Sequence, residues 1–353
     1  MEDVYEKLRR KIDRHPMRAP SHPAIIEILK ELFTPEEAKL ALSVNFKGED
    51  AAEIAARAGV PEGEAAALLE SMANKGVIYC VKSKTKSRYV LMPPMPGFYE
   101  FPLMSGEETP RNLKLAKLWE EYFNGALGEA MHNTIVAMSR IVPVHKKLSA
   151  GAKIFHHEEA AQILKNAKKL ALAQCQCRFV ARKCDAPLDV CILMDGWAEF
   201  LTDRGLARPA DLETALDALD RAEEAGLVHM TANTVTPGAY MCNCCPCCCF
   251  MLRGITELGQ KSLAVSDFIS SIDKDACTGC EECVGRCPFD AVQMDEQQIA
   301  EVDVEKCFGC GQCATICPAN AVEMVKREKP PEPYPSGPDL IRDMAKDKGM
   351  PLP

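Results

Sequence analysis

The chain has 353 residues, 47% of them hydrophobic, and a formal net charge of −9, which is long enough for two or three domains that each build a core. An acidic balance excludes non-specific binding to nucleic acid or anionic membranes by the chain as a whole, and no run approaches the ~18 apolar residues of a membrane span. Nineteen cysteines in a chain of this length point to metal, because disulfide staples serve domains too small to build a core. Eighteen of them lie between Cys175 and Cys317, with Cys80 apart, whereas a disulfide scaffold would spread them. The opening residues, MEDVYEKLRRKID, carry charges at nearly every second position and no apolar stretch. No secretory leader is expected, and the reading is of a cytoplasmic protein whose thiols are reduced or metal-bound.

Residues 21–92 read as a helical unit closed by a hairpin. Apolar residues recur at helical spacing over 24–33, and Thr34-Pro35-Glu36-Glu37 supplies an N-cap, a first-turn proline and first-turn acids for a second helix to about Ser43. Residues 51–59 and 64–76 are two further helices around a turn at Val60-Pro61. Two β-rich runs, 77–81 and 88–92, flank a basic tip with Lys82, Lys84 and Lys86.

This order resembles the winged-helix branch of helix-turn-helix domains, which implies DNA binding. Charge opposes that reading: nine Lys or Arg stand against ten Asp or Glu, and the helix that would enter a groove carries Glu62, Glu64 and Glu70 against Lys75 alone. Groove readers present Arg, Lys, Asn or Gln, so nucleic acid is a disfavoured partner and a docking or structural role is preferred. Cys80, within an apolar strand, is expected to be a small buried hydrophobe.

Pro93, Pro94, Pro96 and Gly97 mark a linker. Helical spacing returns over 112–138, with Leu115, Leu118, Trp119 and Tyr122 in its apolar stripe, then from His157 to about Ala173, and from Asp211 to Ala225 with Gly226 as its stop. Residues 112–262 therefore read as a mainly α, cysteine-rich domain. His132, His145, His156 and His157 lack the spacing of metal ligands.

Ten cysteines fall in that domain: Cys175, Cys177, Cys184 and Cys191, then Cys242, Cys244, Cys245, Cys247, Cys248 and Cys249. Adjacent thiols repel as thiolates and oxidise readily as thiols, so this density makes most sense around metal. All ten are candidate metal ligands. They suffice for two four-cysteine centres with two left over, or for one centre with a thiol reserve. One or two further iron–sulfur centres, zinc, and a dithiol couple all stay open, with at least one more [4Fe–4S] centre preferred. Arg178, Arg182 and Lys183 either offset an anionic centre or form a solvated basic turn, and His229 and Asn233 are read as turn packing.

The strongest signal comes later. Cys277-x2-Cys280-x2-Cys283-x3-Cys287-Pro288 is followed thirty residues on by Cys307-x2-Cys310-x2-Cys313-x3-Cys317-Pro318. The copies also align Gly279 with Gly309, Ala291-Val292 with Ala321-Val322, and Met294 with Met324. Zinc ribbons rarely use four cysteines in this consecutive spacing, whereas three thiolates from one tight loop can face three corners of a cubane.

Over roughly 267–327 the sequence resembles the bacterial dicluster ferredoxin family. The resemblance implies two [4Fe–4S] clusters, one held by Cys277, Cys280, Cys283 and Cys317, the other by Cys307, Cys310, Cys313 and Cys287. The whole layout is similar to 4Fe–4S ferredoxin-domain proteins of anaerobic bacteria, which implies electron transfer. The expected fold is α+β and multidomain: a winged-helix-like domain (21–92), the mainly α cysteine-rich domain (112–262), the dicluster ferredoxin-like domain (267–327) and a mobile or extended Pro-rich tail (328–353) with a short helix over 339–348.

The preferred function is a relay between a redox partner protein, a flavoprotein or oxidoreductase, and a further cysteine-ligated centre. The rivals are a redox-sensing regulator and an iron–sulfur subunit of an oxidoreductase acting on thiols or disulfides. No dinucleotide or P-loop fingerprint is present, so reducing equivalents are expected from a partner.

Overall fold

The computed structural model describes residues 3–82, 86–144, 160–236, 238–260 and 262–351. Lys84, His145, His156 and His157, and with them the start of the helix expected at His157, lie outside these residues.

The charged N-terminal stretch folds as α1 (Val4–Ile12), whose Leu8 and Ile12 are buried. Then come α2 (Pro23–Leu32), α3 (Pro35–Ala41), α4 (Ala51–Ala58) and α5 (Glu62–Asn74). Reciprocal capping boxes, Thr34 with Glu37 and Asp50 with Glu53, start α3 and α4. The antiparallel hairpin β1 (Ile78–Lys82) and β2 (Ser87–Leu91) follows, with Ile78 opposite Leu91. Cys80 is buried in its core-facing row. Tyr79 meets Phe200 edge-on at 4.8 Å, which docks the hairpin on the next unit.

Residues 93–97 are not a linker. Met95, Phe98, Tyr99 and Phe101 are buried, and Tyr99 stacks on Phe250 at 4.6 Å; the prolines shape a segment whose intervening side chains fill the core. The helix expected over 112–138 is shorter: α6 (Pro110–Tyr122) passes through a wide turn into α7 (Gly128–His132), and residues 133–138 are irregular and lead into β3 (Ser139–Val142). His132 is buried against Ser262 and the Phe250 carbonyl.

The cysteine-rich unit is not mainly α. After β3 come α8 (Ala160–Asn166), β4 (Leu170–Ala173), α9 (Gln176–Ala181), β5 (Cys191–Met194), α10 (Asp195–Thr202), β6 (Arg208–Ala210), α11 (Leu212–Glu224), β7 (Val228–Ala232), β8 (Tyr240–Cys244), α12 (Phe250–Thr256) and β9 (Leu263–Ala264). Seven strands form one sheet in the order β6-β4-β5-β8-β7-β3-β9, antiparallel except for β3 with β9. The helix expected to reach Ala173 ends at Asn166, because Leu170–Ala173 is a strand.

β3, β4 and β5 are four-residue strands buried on both faces, and such short runs carry no alternation that separates them from helix. Ala171, Ala173, Cys191, Leu193, Cys242, Cys244 and Met230 face a core shared with the N-terminal helices. Leu172, Ile192, Met194 and Met241 face the opposite way, against α8 and α11.

Beyond the sheet, β10 (Phe268–Ile272), β11 (Val292–Met294), α13 (Glu282–Arg286), β12 (Ala300–Val302), α14 (Gln312–Ile316) and β13 (Val322–Lys326) form two antiparallel pairs, β10 with β13 and β11 with β12. Contacts that fasten this unit to the preceding one include the buried Arg140–Asp267 ion pair at 2.6 Å, Gln312 Nε2 donating to the Leu227 carbonyl at 2.6 Å, Val144 N–H donating to the Cys310 carbonyl at 3.1 Å, and Arg286 Nη2 donating to the Glu223 carbonyl at 2.7 Å.

The tail is docked where mobility was expected. Tyr334 N–H donates to the Asn233 carbonyl at 3.0 Å, α15 (Gly337–Asp347) buries Leu340 and Met344, and Lys348 Nζ donates to the Ala130 carbonyl at 2.8 Å. Among the described residues no helix is long and apolar enough to cross a membrane.

Candidate functional site

The two C-terminal copies repeat in three dimensions. In each, a cysteine N–H bonds the carbonyl of the aspartate four residues earlier, Cys277 to Asp273 and Cys307 to Asp303, both at 3.0 Å. Gly279 and Gly309 have φ of 68° and 70°. A Cβ at Gly279 would stand 2.6 Å from the Gln298 carbonyl oxygen, and one at Gly309 would collide with that of Phe268, so both loops require glycine.

Cys277, Cys280, Cys283 and Cys317 line one hollow between the copies, Cys317 coming from the second. Cys287 crosses the other way and neighbours Cys310 and Cys313. Ala291 N–H donates to Cys287 Sγ at 3.3 Å and Ala321 N–H to Cys317 Sγ at 3.2 Å, equivalent bonds in the two copies. Ser270 adds a hydroxyl 3.1 Å from Cys313 Sγ. Four thiols per group, with amide donors aimed at sulfur, are the donor set and surroundings that a [4Fe–4S] cluster takes.

The ten remaining cysteines divide into two sites, and the division follows from strand geometry. Side chains alternate across a strand, so Cys242 and Cys244 of β8 share a face with Cys191 of β5, while Met241 and Asn243 point away. After β8 the chain turns. Cys245, Cys247 and Cys248 drop to the far face, and Cys249, capping α12, returns to the near one. The earlier segment divides in the same way: Cys175 and Cys177, at the start of α9, face the first site and Cys184 the second.

On the near face Cys175, Cys177, Cys191, Cys242, Cys244 and Cys249 line one hollow. Their thiols run as a chain of interacting neighbours, 175–177–249–244–242–191. Cys175, Cys242 and Cys244 are pushed well up from the ordinary thiol pKa by their bonds to Cys177, Cys191 and Cys242, and by burial. Thiols raised in this way hold their protons, and a metal centre entering here must displace them.

The Glu100 carboxyl lines the same hollow; burial pushes its pKa up to about 8, against an opposing bond from Gly97 N–H at 2.7 Å. Gln176 is buried there, its Oε1 unpartnered among the described residues, and Tyr240 with its hydroxyl 3.0 Å from Ser139. Glu100, Gln176 and Tyr240 escaped the sequence reading. Gln176 could have been found from its place between Cys175 and Cys177, whereas a lone acid among aromatics leaves no signal.

On the far face Cys184, Cys245, Cys247 and Cys248 bring all four sulfurs within 4.8 Å of one another. Between the two sites lies Arg178, buried, its Nη1 donating to the Asn243 carbonyl at 2.8 Å and standing 4.0 Å from Cys245 Sγ. Against the cost of burial, Cys175, Cys244 and Cys245 raise its pKa and keep it cationic. Arg182 and Lys183 instead pair with Glu108 and Glu257 at the surface.

Asn243 Oδ1 also accepts from His229 Nδ1 at 2.6 Å and its Nδ2 donates to the Val190 carbonyl at 2.5 Å, while His229 Nε2 lies 3.2 Å from Glu223. This network fixes β8, and with it the direction of each cysteine in the run. Asn233 holds the Ala137 carbonyl at 3.0 Å, a packing role.

Residues 270–324 match the family model of the 4Fe-4S dicluster domain. The chain therefore carries such a domain on its C-terminal side and is an iron–sulfur protein. A search of curated proteins returned no match to the chain, and a search of solved structures returned none.

Proposed function

We propose that this is an electron-transfer protein in which two [4Fe–4S] clusters serve a further iron–sulfur centre in the six-cysteine hollow. One cluster would be held by Cys277, Cys280, Cys283 and Cys317, the other by Cys307, Cys310, Cys313 and Cys287. When bound, such clusters supply one-electron oxidation and reduction at potentials tuned by hydrogen bonds to sulfur and by exposure. The observation that carries the reading is the crossing of Cys317 into the hollow of Cys277, Cys280 and Cys283.

The two quartets face different surroundings. Cys280 is exposed, which suits approach by a redox partner protein, a flavoprotein or another oxidoreductase. Cys310 is buried in the same contiguous core as Cys175, Cys177, Cys191, Cys244 and Cys249. Glu100 favours a second reading of the hollow itself. A carboxyl held protonated at neutral pH, beside six thiols, suits a terminal site that couples proton uptake to reduction of a thiol or disulfide substrate.

Residues 21–92 serve in this reading as a docking module of winged-helix-like order. Lys75 pairs with Glu37, Arg57 with Glu49 and Lys86 with Asp50, so acids of the same unit already engage cations that DNA would need.

The test is anaerobic iron and sulfide quantitation with EPR on the reduced full chain and on its Cys177→Ser and Cys310→Ser variants. About eight irons with sulfide are expected from the dicluster domain, plus a further increment that Cys177→Ser removes without touching the ferredoxin signals. A chain free of acid-labile sulfide sinks the reading, and an increment indifferent to Cys177 sinks the third centre.

A further inference from the structure

We propose that Cys184, Cys245, Cys247 and Cys248 hold one zinc ion in a tetrahedral tetrathiolate site, separate from every iron–sulfur centre in the chain. The sulfur spacing carries the argument. Four ligands at the zinc–thiolate distance of about 2.3 Å stand about 3.8 Å apart along each edge of the tetrahedron. Here Cys184 lies 3.6 Å from Cys245 and 3.8 Å from Cys248, and Cys247 lies 3.7 Å from Cys248.

A cubane needs a wider frame, because each of its four thiolates binds a different iron outside a different corner of the cube. The chain supplies its own comparison. Among the described residues this tetrad is the only group of potential metal ligands drawn so tightly together; neither ferredoxin quartet converges to 4.8 Å, nor do three thiols of the six-cysteine hollow. One compact tetrad and three wider sets are what one mononuclear site and several clusters require.

The surroundings fit a dianionic centre. Four thiolates around a divalent ion leave a net charge of −2. Arg178 stands 4.0 Å from Cys245 Sγ and is buried, with its Nε and Nη2 unpartnered among the described residues, so a fixed positive charge lies beside the tetrad. Cys249 N–H bonds the Cys245 carbonyl at 3.1 Å and closes the turn that carries three of the four ligands.

Zinc outranks ferrous iron for a site that fits both. Zinc has no redox chemistry, so the ion acts as a clamp. It ties the loop after α9 to the turn after β8, next to the start of α9, β8 and the start of α12, which hold five of the hollow's six cysteines.

The test is metal analysis of the full chain purified anaerobically, with X-ray absorption at the zinc edge. About one zinc per chain is expected, with four sulfur ligands near 2.3 Å. Cys247→Ser should reduce zinc to near zero while iron and sulfide stay within a tenth of wild type. If that variant does not fold, cobalt exchange into the wild-type chain gives the second readout, thiolate-to-cobalt charge-transfer bands of a tetrahedral tetrathiolate site.

One sulfide-free iron lost in Cys247→Ser would keep the tetrahedral site and replace the ion. Loss of about four irons with their sulfide would overturn the proposal in favour of a cubane, and nitrogen or oxygen ligands at zinc would overturn it equally. None of these readings depends on whether the six-cysteine hollow holds a cluster.

Discussion

Cys244 and Cys245 are neighbours in the chain and lie on opposite faces of the sheet, Cys244 against the six-cysteine hollow and Cys245 against Cys184. Serine at each position should therefore give unlike losses. Cys244→Ser is expected to lower iron and sulfide while the single-ion site stays filled. Cys245→Ser is expected to empty that site and leave most of the hollow's iron. Metal and sulfide counts on the two variants check this, and identical profiles would show that the run serves a single centre.

The ferredoxin crossing gives a second contrast. Cys317→Ser removes a ligand from the group containing the exposed Cys280, whereas Cys287→Ser weakens the group containing the buried Cys307, Cys310 and Cys313. The cluster remaining in Cys317→Ser should outlast, in air, the one remaining in Cys287→Ser by several-fold, because oxidant reaches buried sulfur slowly. Bleaching of the visible absorption of the two variants measures this. Equal rates, or the reverse order, would count against the crossed assignment.

The dicluster repeat was legible because its chemistry is local: four cysteines, a glycine and a proline within twelve residues carry the whole signal. Asp211 and Gly226 bounded α11 for the same reason, as a cap and a stop beside a periodic helix. The partition of the other ten cysteines was hidden, because the parity of Cys242, Asn243 and Cys244 means nothing until residues 240–244 are known to be a strand. Leu170–Ala173 and Cys191–Met194 concealed that sheet, since a four-residue run buried on both faces reads equally well as helix. Residues 93–97 misled through composition; Met95 and Phe98 fill a core although prolines surround them.

The anchorage of the dicluster domain rests partly on Arg140 and Asp267, both buried and 2.6 Å apart. Among the described residues Arg140 Nε and Nη1 have no hydrogen-bond partner, so Asp267→Ala strands a buried charge. Such a break costs about 3–5 kcal/mol, whereas replacing both members of a buried pair by apolar residues is often neutral. Anaerobic unfolding midpoints should fall sharply for Asp267→Ala and recover in the Arg140→Met, Asp267→Leu double variant. A double variant as unstable as the single would show that the pair contributes through more than compensation of charge.

His15 should make the protein acid-sensitive. It is buried beside Phe46, its Nδ1 accepts the Met17 N–H at 3.2 Å, and burial, followed by the charge of Lys348, lowers its pKa to about 4. The ordinary value is about 6.5. The folded state thus binds this proton less readily than the unfolded one, and stability is fully present above about pH 6.5. It is lost as pH falls from there through about 4, by about 3 kcal/mol at the low end. His132, lowered to about 4 chiefly by burial, adds a loss in the same window. His15→Gln, which cannot take up the proton, should flatten part of this decline relative to wild type. Unfolding midpoints measured anaerobically from pH 7 to pH 4 provide the comparison, and because cluster loss in acid affects both proteins, the difference between the two curves isolates the histidine. Parallel curves across that range would mean that His15 reaches solvent before the chain unfolds.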